Sequence, residues 1–420
     1  MSGSAVQLDA PWLRWTSTRL VVAALTEGGG QCWFVGGCVR DSLLAPGRDD
    51  ATLDIDLTTD LLPERVAAQA AAAGLKPIPT GIEHGTVTVV AQGRPFEVTT
   101  LRRDVATDGR HALVAFGGSL AEDAARRDFT INALYACPDG ELVDPLGGLA
   151  DLQARRVRFV GDPERRILED HLRILRFFRF FARFGGEAPD PSGLAACIRH
   201  AALLRSLSAE RVAKELLKLL AGPNVLASLQ AMVDGGILAA LGMEDAVPSR
   251  LAPLLRLAPD ADPLLRLAAL FHGPQPAPGQ GERLALRLRL SSAEVRRLEA
   301  ALGEAAPPLD EAPAVLERRW YREGGTAGWR DRFLLAAAAQ GLGREAVAAP
   351  LALARNWTRP EFPIGGRDAL ALGMRPGPEV GTLLREVEAW WLGQGMRPDR
   401  NACLAELSAR YRLDEPPPAP

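Results

Sequence analysis

Alternating, strand-like patterning in this chain stops near residue 145, and every later apolar pattern has helical spacing. Side chains on a strand change face every residue, whereas a helix returns to one face every three to four residues. A chain that loses the first period for good cannot add later strands to its sheet. The expected fold is therefore an α/β N-terminal head, a mixed sheet with helices, closing near "VDPLGG", followed by an all-α remainder. With 420 residues there is ample length for several domains. No internal repeat points to a solenoid.

Within the head, "CWFVGGCVRDSLL" reads as a strand, a Gly36-Gly37 break and a helix. "LDIDLTT" reads as a strand and "PERVAAQAAAAG" as a helix. "GTVTVVAQG" and "RPFEVTTLR" read as a hairpin. "RRDVATDGRHALVAFGGS" is polar and punctuated by glycine, which predicts a mobile loop. "RRDFTINALY" predicts an apolar helix led by Arg126, Arg127 and Asp128. "GDPERRILEDHLRILRFFRFFARFG" predicts one helix ending at Gly185-Gly186. Pro- and Gly-rich breaks at 272–281 and 304–314 divide the later helices, and the tail "DEPPPAP" is expected to be disordered.

Charge and cysteine content exclude several classes. The net charge is -3, so nothing marks the whole chain as a nucleic-acid binder. Between Arg155 and Arg183, however, nine arginines face four acids, which makes a local basic surface available. Five scattered cysteines without a CxxC pair argue against a zinc site or a disulfide framework. No apolar run is long enough to span a bilayer. The start "MSGSAVQLDAPWLRW" shows neither a signal-peptide core nor a basic amphipathic presequence, so the chain reads as cytoplasmic.

The chemistry gathers on few residues. Asp54 and Asp56 are two apart in an apolar strand pattern, which would set two carboxylates side by side. A divalent metal, Mg²⁺ by hardness, would offset their repulsion; an acidic edge strand is the plain alternative. Gly36 and Gly37 sit between strand and helix, where backbone amides can approach a triphosphate closely, and Arg40 lies just beyond. Glu97 is either a solvent-facing strand charge or a third carboxylate beside the pair. Arg127 and Asp128 could grip a ribose or phosphate, with Asn132 one turn on. Glu169, Asp170, Arg173, Arg176 and Arg179 are spaced to share one helix face, opposite Leu, Ile and Phe. A fixed Asp/Arg pair there could read the edge of a nucleobase without a template.

The order "FVGGCVRDSLL … LDIDLTT … FEVTTLRRDVATDGRHALVAF … RRDFTINALY … GDPERRILEDHLRILRFFRF" closely resembles the class II tRNA nucleotidyltransferases, the CCA-adding enzymes. These belong to the DNA polymerase beta superfamily and share their core with bacterial poly(A) polymerases. The resemblance covers residues 31–220 and continues weakly through 363–387. It implies that Asp54 and Asp56 hold catalytic Mg²⁺, that Gly37 and Arg40 contact the triphosphate, and that Arg127 contacts the incoming nucleotide. It implies that Asp170 and Arg173 face the base, with Glu169 orienting Arg173 and with Arg176 and Arg179 adding contacts. The implied layout is a catalytic head (1–145), a helical neck (146–222), a body (223–310) and a tail (311–420). The later helices would grip the acceptor arm and elbow of tRNA, with CTP and ATP as substrates and no protein partner. "DVATDGRHALVAF" matches the flexible loop associated in this family with switching from C to A.

Some relatives carry a phosphohydrolase domain built on a His-Asp pair. Here Gly273 follows His272, so that activity is expected to be absent. The expected function is addition of C, C and A to tRNA. The nearest rivals are a poly(A) polymerase and an enzyme adding only the terminal A. A small-molecule nucleotidyltransferase and a non-catalytic RNA-binding relative fit the helical half and the intact acidic pair less well.

Overall fold

The computed structural model describes residues 6–81, 85–108 and 111–414, which form two compact units, 1–248 with 287–290, and 249–286 with 291–420. The "DEPPPAP" tail lies outside the described residues after Asp414. The first unit opens with α1 (Thr16–Thr26), β1 (Cys32–Val35), α2 (Gly37–Leu44), β2 (Ile55–Thr59) and α3 (Pro63–Ala72). It continues with β3 (Lys76–Gly81), β4 (Thr86–Ala91), β5 (Arg94–Thr100), β6 (Arg102–Asp108) and β7 (His111–Phe116). Then come α4 (Leu120–Ala125), β8 (Tyr135–Ala136), β9 (Leu142–Val143) and α5 (Gly148–Gln153). Its helical part contains α6 (Pro163–Glu169), α7 (Arg173–Phe184), α8 (Pro191–Arg199) and α9 (Ala209–Leu220). The mixed sheet followed by helices is the architecture the change of period predicts.

Seven strands form one sheet in the order β3-β4-β5-β2-β1-β8-β9. β2 runs parallel to β5 and antiparallel to β1, so the acidic strand is central. The register sets Asp56 opposite Glu97. Between them the period-two pattern sends Ile55, Leu57, Phe96 and Val98 into the core. Asp54 lies one residue before β2, outside the strand, because Asp50 closes a turn on Thr52 just upstream.

Three local expectations are corrected. The stretch 102–119 is no plain loop: β6 and β7 pair antiparallel from Arg102 opposite Phe116 to Asp108 opposite His111. The Asp108-Gly109 dipeptide between two alternating runs was the available hairpin signal. "RRDFTINALY" does not make an apolar helix. Thr130–Asn132 form a single 3-10 turn, and Tyr135 and Ala136 are drawn into the sheet between β1 and β9. Lastly, the Arg-rich stretch is two helices. Asp170 is extended (φ -153°, ψ 108°), its carboxylate accepts from the amide of Leu172, and α7 begins at Arg173. A short acidic side chain competes with the helix for a nearby amide in this way.

α7 packs Phe177, Phe178 and Phe181 inward, each at most 1% exposed. Each such ring contributes roughly 1.5–3 kcal/mol by leaving water. Phe177 stacks on Phe159, which also meets Phe129. This aromatic block holds α7 against the segment that carries Asp128. The second unit is helical from Leu251 to Asp414 and has a separate core of Val387, Trp391, Cys403 and Leu407. No helix among the described residues is long and apolar enough to cross a membrane.

Candidate active site

The turn from β1 into α2 depends on glycine. Gly36 has φ 75° and ψ -121°, a conformation that a side chain would strain, and it donates to the carbonyl of Leu134 at 3.1 Å. A Cβ added at Gly36 would lie 3.7 Å from Nη1 of Arg127, and one added at Gly37 would lie 3.9 Å from Nη2 of Arg40. Two guanidinium groups therefore flank the amides at the start of α2. That combination suits a phosphate chain. Arg40 itself is turned inward. It donates to Asp41 at 2.8 Å and to Oδ1 of Asn132 at 2.5 Å, and it lies 4.1 Å over the ring of Phe184. Burial pulls its pKa down, and Asp41 opposes that pull.

The carboxylates stand next to this turn. Burial first, then Glu97, then Asp54 push the Asp56 carboxyl up to about 6, and Arg127 is the cation that works against them. Glu97 thus lies on the face of Asp56, as the third carboxylate the sequence left open. Its side chain is exposed, as is that of Asp54. No group of three or more His, Cys, Asp or Glu side chains among the described residues is arranged to hold an ion unaided. A Mg²⁺ ion, however, takes one or two carboxylates and fills its other positions with water and substrate phosphates. Asp56, whose charge is disfavoured by burial and by Glu97 and Asp54, lies close to Arg127 and the Gly36 turn and fits that requirement.

The raised pKa carries a sign. Asp56 binds its proton in the folded chain up to about pH 6 but near 3.8 when unfolded. Its favourable share of stability is therefore complete below pH 4 and is lost as pH rises through 6. Without divalent cation, Asp56→Asn is expected to gain Tm over the parent as pH rises from 4 to 7. Mg²⁺ at pH 7 should then raise the Tm of the parent alone. Parallel Tm–pH curves for the two proteins would show that the cluster carries no such repulsion.

Arg127 is anchored from behind. Its Nε and Nη2 donate to Asp123 at 3.1 and 3.0 Å, its Nε also to Tyr135 at 3.1 Å, and its Nη1 to the carbonyl of Asn132 at 3.4 Å. Asp123 is fully buried and also accepts from Arg126 and Tyr135. Burial would raise its pKa, yet Arg127, Arg126 and Tyr135 hold it below the usual range. Asp128 accepts from Asn132 at 2.9 Å and from Nε of Arg176 at 2.7 Å, so its carboxylate points at α7.

The helix-borne groups separate into distinct pairs. Glu169 accepts from Arg166 and Arg173, both at 2.6 Å, and Arg173 also reaches the carbonyls of Arg166 and Arg126. Glu169 therefore fixes Arg173 as expected, although the two belong to different helices. Asp170 does not pair with Arg173; Arg211 of α9 binds it at 3.1 Å. Arg179 pairs with Glu215 at 3.1 Å, and Arg179 and Arg176 both lie over Phe180. The structure thus brings Gly36, Gly37, Arg40, Arg127, Asp128 and Arg176 into one connected group, and Asp56, on which Glu97 and Asp54 act, feels the charge of Arg127. Sequence reasoning missed Asp123, Tyr135, Arg166, Arg211 and Glu215. Only Asp123 had a local signal, three and four residues before Arg126 and Arg127.

Comparisons with known proteins decide the family. Residues 32–158 match the model described as "Poly A polymerase head domain". Residues 188–244 match "Probable RNA and SrmB- binding site of polymerase A". The mouse (Mus musculus) protein named CCA tRNA nucleotidyltransferase 1, mitochondrial, is 32% identical over 382 residues, 89% of this chain and 86% of that protein. The chain belongs to the CCA tRNA nucleotidyltransferase family. A CCA-adding enzyme of Levilactobacillus brevis is 41% identical over 221 residues, 52% of this chain and 53% of its own length. The Bacillus stearothermophilus CCA-adding enzyme, solved in complex with CTP, superposes with a TM-score of 0.72 at 28% identity, covering 94% of this chain and 97% of that one. The likeness to this CCA-adding enzyme spans the helical part as well as the head. In the second unit, His272 closes the helix Pro263–Phe271, and burial and Arg250 lower its pKa. With Gly273 next to it, His272 lacks the neighbouring acid of a His-Asp pair.

Proposed function

We propose that this chain adds C, C and A in turn to the 3′ end of tRNA, using CTP and ATP. The observation that carries this reading is the place of Arg127, whose guanidinium lies 3.7 Å from where a Cβ on Gly36 would be and whose charge is felt by Asp56. A nucleotide lying on the Gly36-Gly37 turn, at the start of α2, would present its α-phosphate to Asp54 and Asp56. Family membership over most of the chain supplies the substrate class.

In the proposed reaction the 3′-oxygen of tRNA bonds to the α-phosphorus, the bond to the β-phosphate oxygen breaks, and pyrophosphate leaves. Asp54 and Asp56 would hold divalent cation, Mg²⁺, which when bound supplies charge to activate the hydroxyl and to neutralise the leaving group. Glu97, exposed and across from Asp56, would receive the hydroxyl proton. Gly36, Gly37 and Arg40 hold the phosphates, and Arg127 holds the nucleotide against its Asp123 anchor. Glu169 orients Arg173 toward the base, Asp170 presents its carboxylate with Arg211 behind it, and Arg176 and Arg179 add contacts along α7. The head (1–145), neck (146–222), body (223–310) and tail (311–420) would together hold the acceptor arm and elbow by shape and phosphate charge, an interaction that salt weakens. The five cysteines are all free, as a reducing cytoplasm would leave them, and fractionation of tagged protein checks that placement.

Pyrophosphate release tests the substrate assignment. It should require tRNA and proceed with CTP or ATP, and equal release from UTP and GTP would overturn the base-selecting role of α7. The β6–β7 hairpin covers the segment linked by resemblance to the change from C to A. Deleting 104–118 is expected to spare C addition and slow the terminal A at least about ten-fold, or 1.4 kcal/mol of barrier. Normal A addition by the deletion variant would remove the hairpin from the mechanism.

A further inference from the structure

Three arginines, from α2, from α7 and from the segment after α4, converge on Asn132 and its neighbour Asp128. Nη1 of Arg40, from α2, donates to Oδ1 of Asn132 at 2.5 Å. Nδ2 of Asn132 donates to Oδ1 of Asp128 at 2.9 Å, and Oδ2 of Asp128 accepts from Nε of Arg176, on α7, at 2.7 Å. The backbone carbonyl of Asn132 accepts from Arg127 at 3.4 Å. Asn132 is 7% exposed, Asp128 8% and Arg40 7%, so water competes little for these groups. The turn that bears Asn132 is itself fixed. Thr130 donates through its hydroxyl to Asp151 at 2.7 Å and through its amide to the carbonyl of Arg158 at 3.0 Å.

We infer that Asn132 is a positioning residue that locks the phosphate-side arginine Arg40 to the base-side arginine Arg176. The inference rests on the nucleotidyl-transfer reading above and deepens it. The chemistry of the position calls for an amide, since one end must accept from a guanidinium while the other donates to a carboxylate. Turning the amide over would set its NH₂ against Arg40 and its oxygen against Asp128, so its two charged neighbours fix its orientation. Aspartate would bring a second negative charge against Asp128, a hydroxyl is too short to reach both partners, and leucine offers neither group. Through this link, a base that settles the α7 arginines also settles Arg40 and the phosphates it holds. The wrong base leaves Arg176 and Arg40 less well placed, and the penalty falls on kcat as well as on KM.

The test is a cycle of variants in the full-length protein, with kcat/KM for CTP measured on tRNA ending before CCA. Arg40→Lys and Arg176→Lys keep charge but lose the planar fork. Combined, they should depart from multiplicative behaviour by at least about three-fold, as coupled groups do. Repeated in Asn132→Leu, the same cycle should become multiplicative, and preference for CTP over UTP should fall while Tm-matched controls keep theirs. Arg40 and Arg176 also both lie 5.4 Å from the centroid of the Phe180 ring. Coupling that survives Asn132→Leu would therefore run through that ring and would overturn the assignment, as would multiplicative behaviour in the parent. If Asn132→Leu does not fold, Asn132→Ser replaces it. A parent protein that transfers no nucleotide would instead remove the functional reading itself.

Discussion

Asp56→Asn is expected to lower nucleotide transfer at least about a thousand-fold, the scale reached when a group that supports charge in the transition state is removed. Asp56 is the carboxylate where burial and the charges of Glu97 and Asp54 converge, and it is nearly isosteric with asparagine. The substitution removes a charge that burial and the neighbouring carboxylates disfavour, so the variant should fold at least as well as the parent at pH 7. Loss of rate without loss of stability separates a chemical role from a structural one. tRNA binding should stay close to that of the parent, since Asp56 carries none of the cationic contacts to phosphate. Asp54→Ala is expected to behave alike, although Asp54 lies outside the strand and is exposed. Transfer within ten-fold of the parent in both variants would remove the metal assignment.

Asp123→Ala carries the largest expected effect on stability. The Asp123 carboxylate is 0% exposed and accepts from Arg126, Arg127 and Tyr135. Truncation leaves two largely buried guanidinium groups and a buried phenol without their acceptor. Breaking a buried pair from one side typically costs about 3–5 kcal/mol. Denaturant unfolding followed in the first unit should show a loss of that size. Transfer should fall as well, because Arg127 loses the anchor that aims it at Gly36. Asp123→Asn keeps one acceptor oxygen and should lose less of both. A stability change below about 1 kcal/mol for Asp123→Ala would mean that the arginines find other partners.

How much could be read from the sequence depended on the range of the signal. The strand–Gly-Gly–helix turn and the β4–β5 hairpin are written in adjacent residues, and both formed where the patterning put them. Glu97 could be noticed as an acid in an apolar strand. That it lies opposite Asp56 depends on parallel register across forty-one residues, which no local pattern encodes. The arginine helix was over-read for a physical reason. Helical spacing continued across Glu169, Asp170 and Arg173, but the Asp170 side chain took a backbone amide and ended α6. That break sends Asp170 to Arg211 on α9, a partner forty-one positions away. The helix expected after Asp128 failed because Tyr135 and Ala136 had a better place at the sheet, pairing with β1 and β9. Tertiary pairing overrode local propensity there.

The length of the product on purified tRNA tests the central claim most directly. The chain would be incubated with Mg²⁺ and tRNA ending before CCA, given CTP, ATP or both. The account predicts two added residues with CTP alone and a stop at three with both nucleotides. A long ladder with ATP alone would contradict it and make the chain a poly(A) polymerase. A single A added only to tRNA already ending in CC would contradict it as well, leaving C addition to another protein.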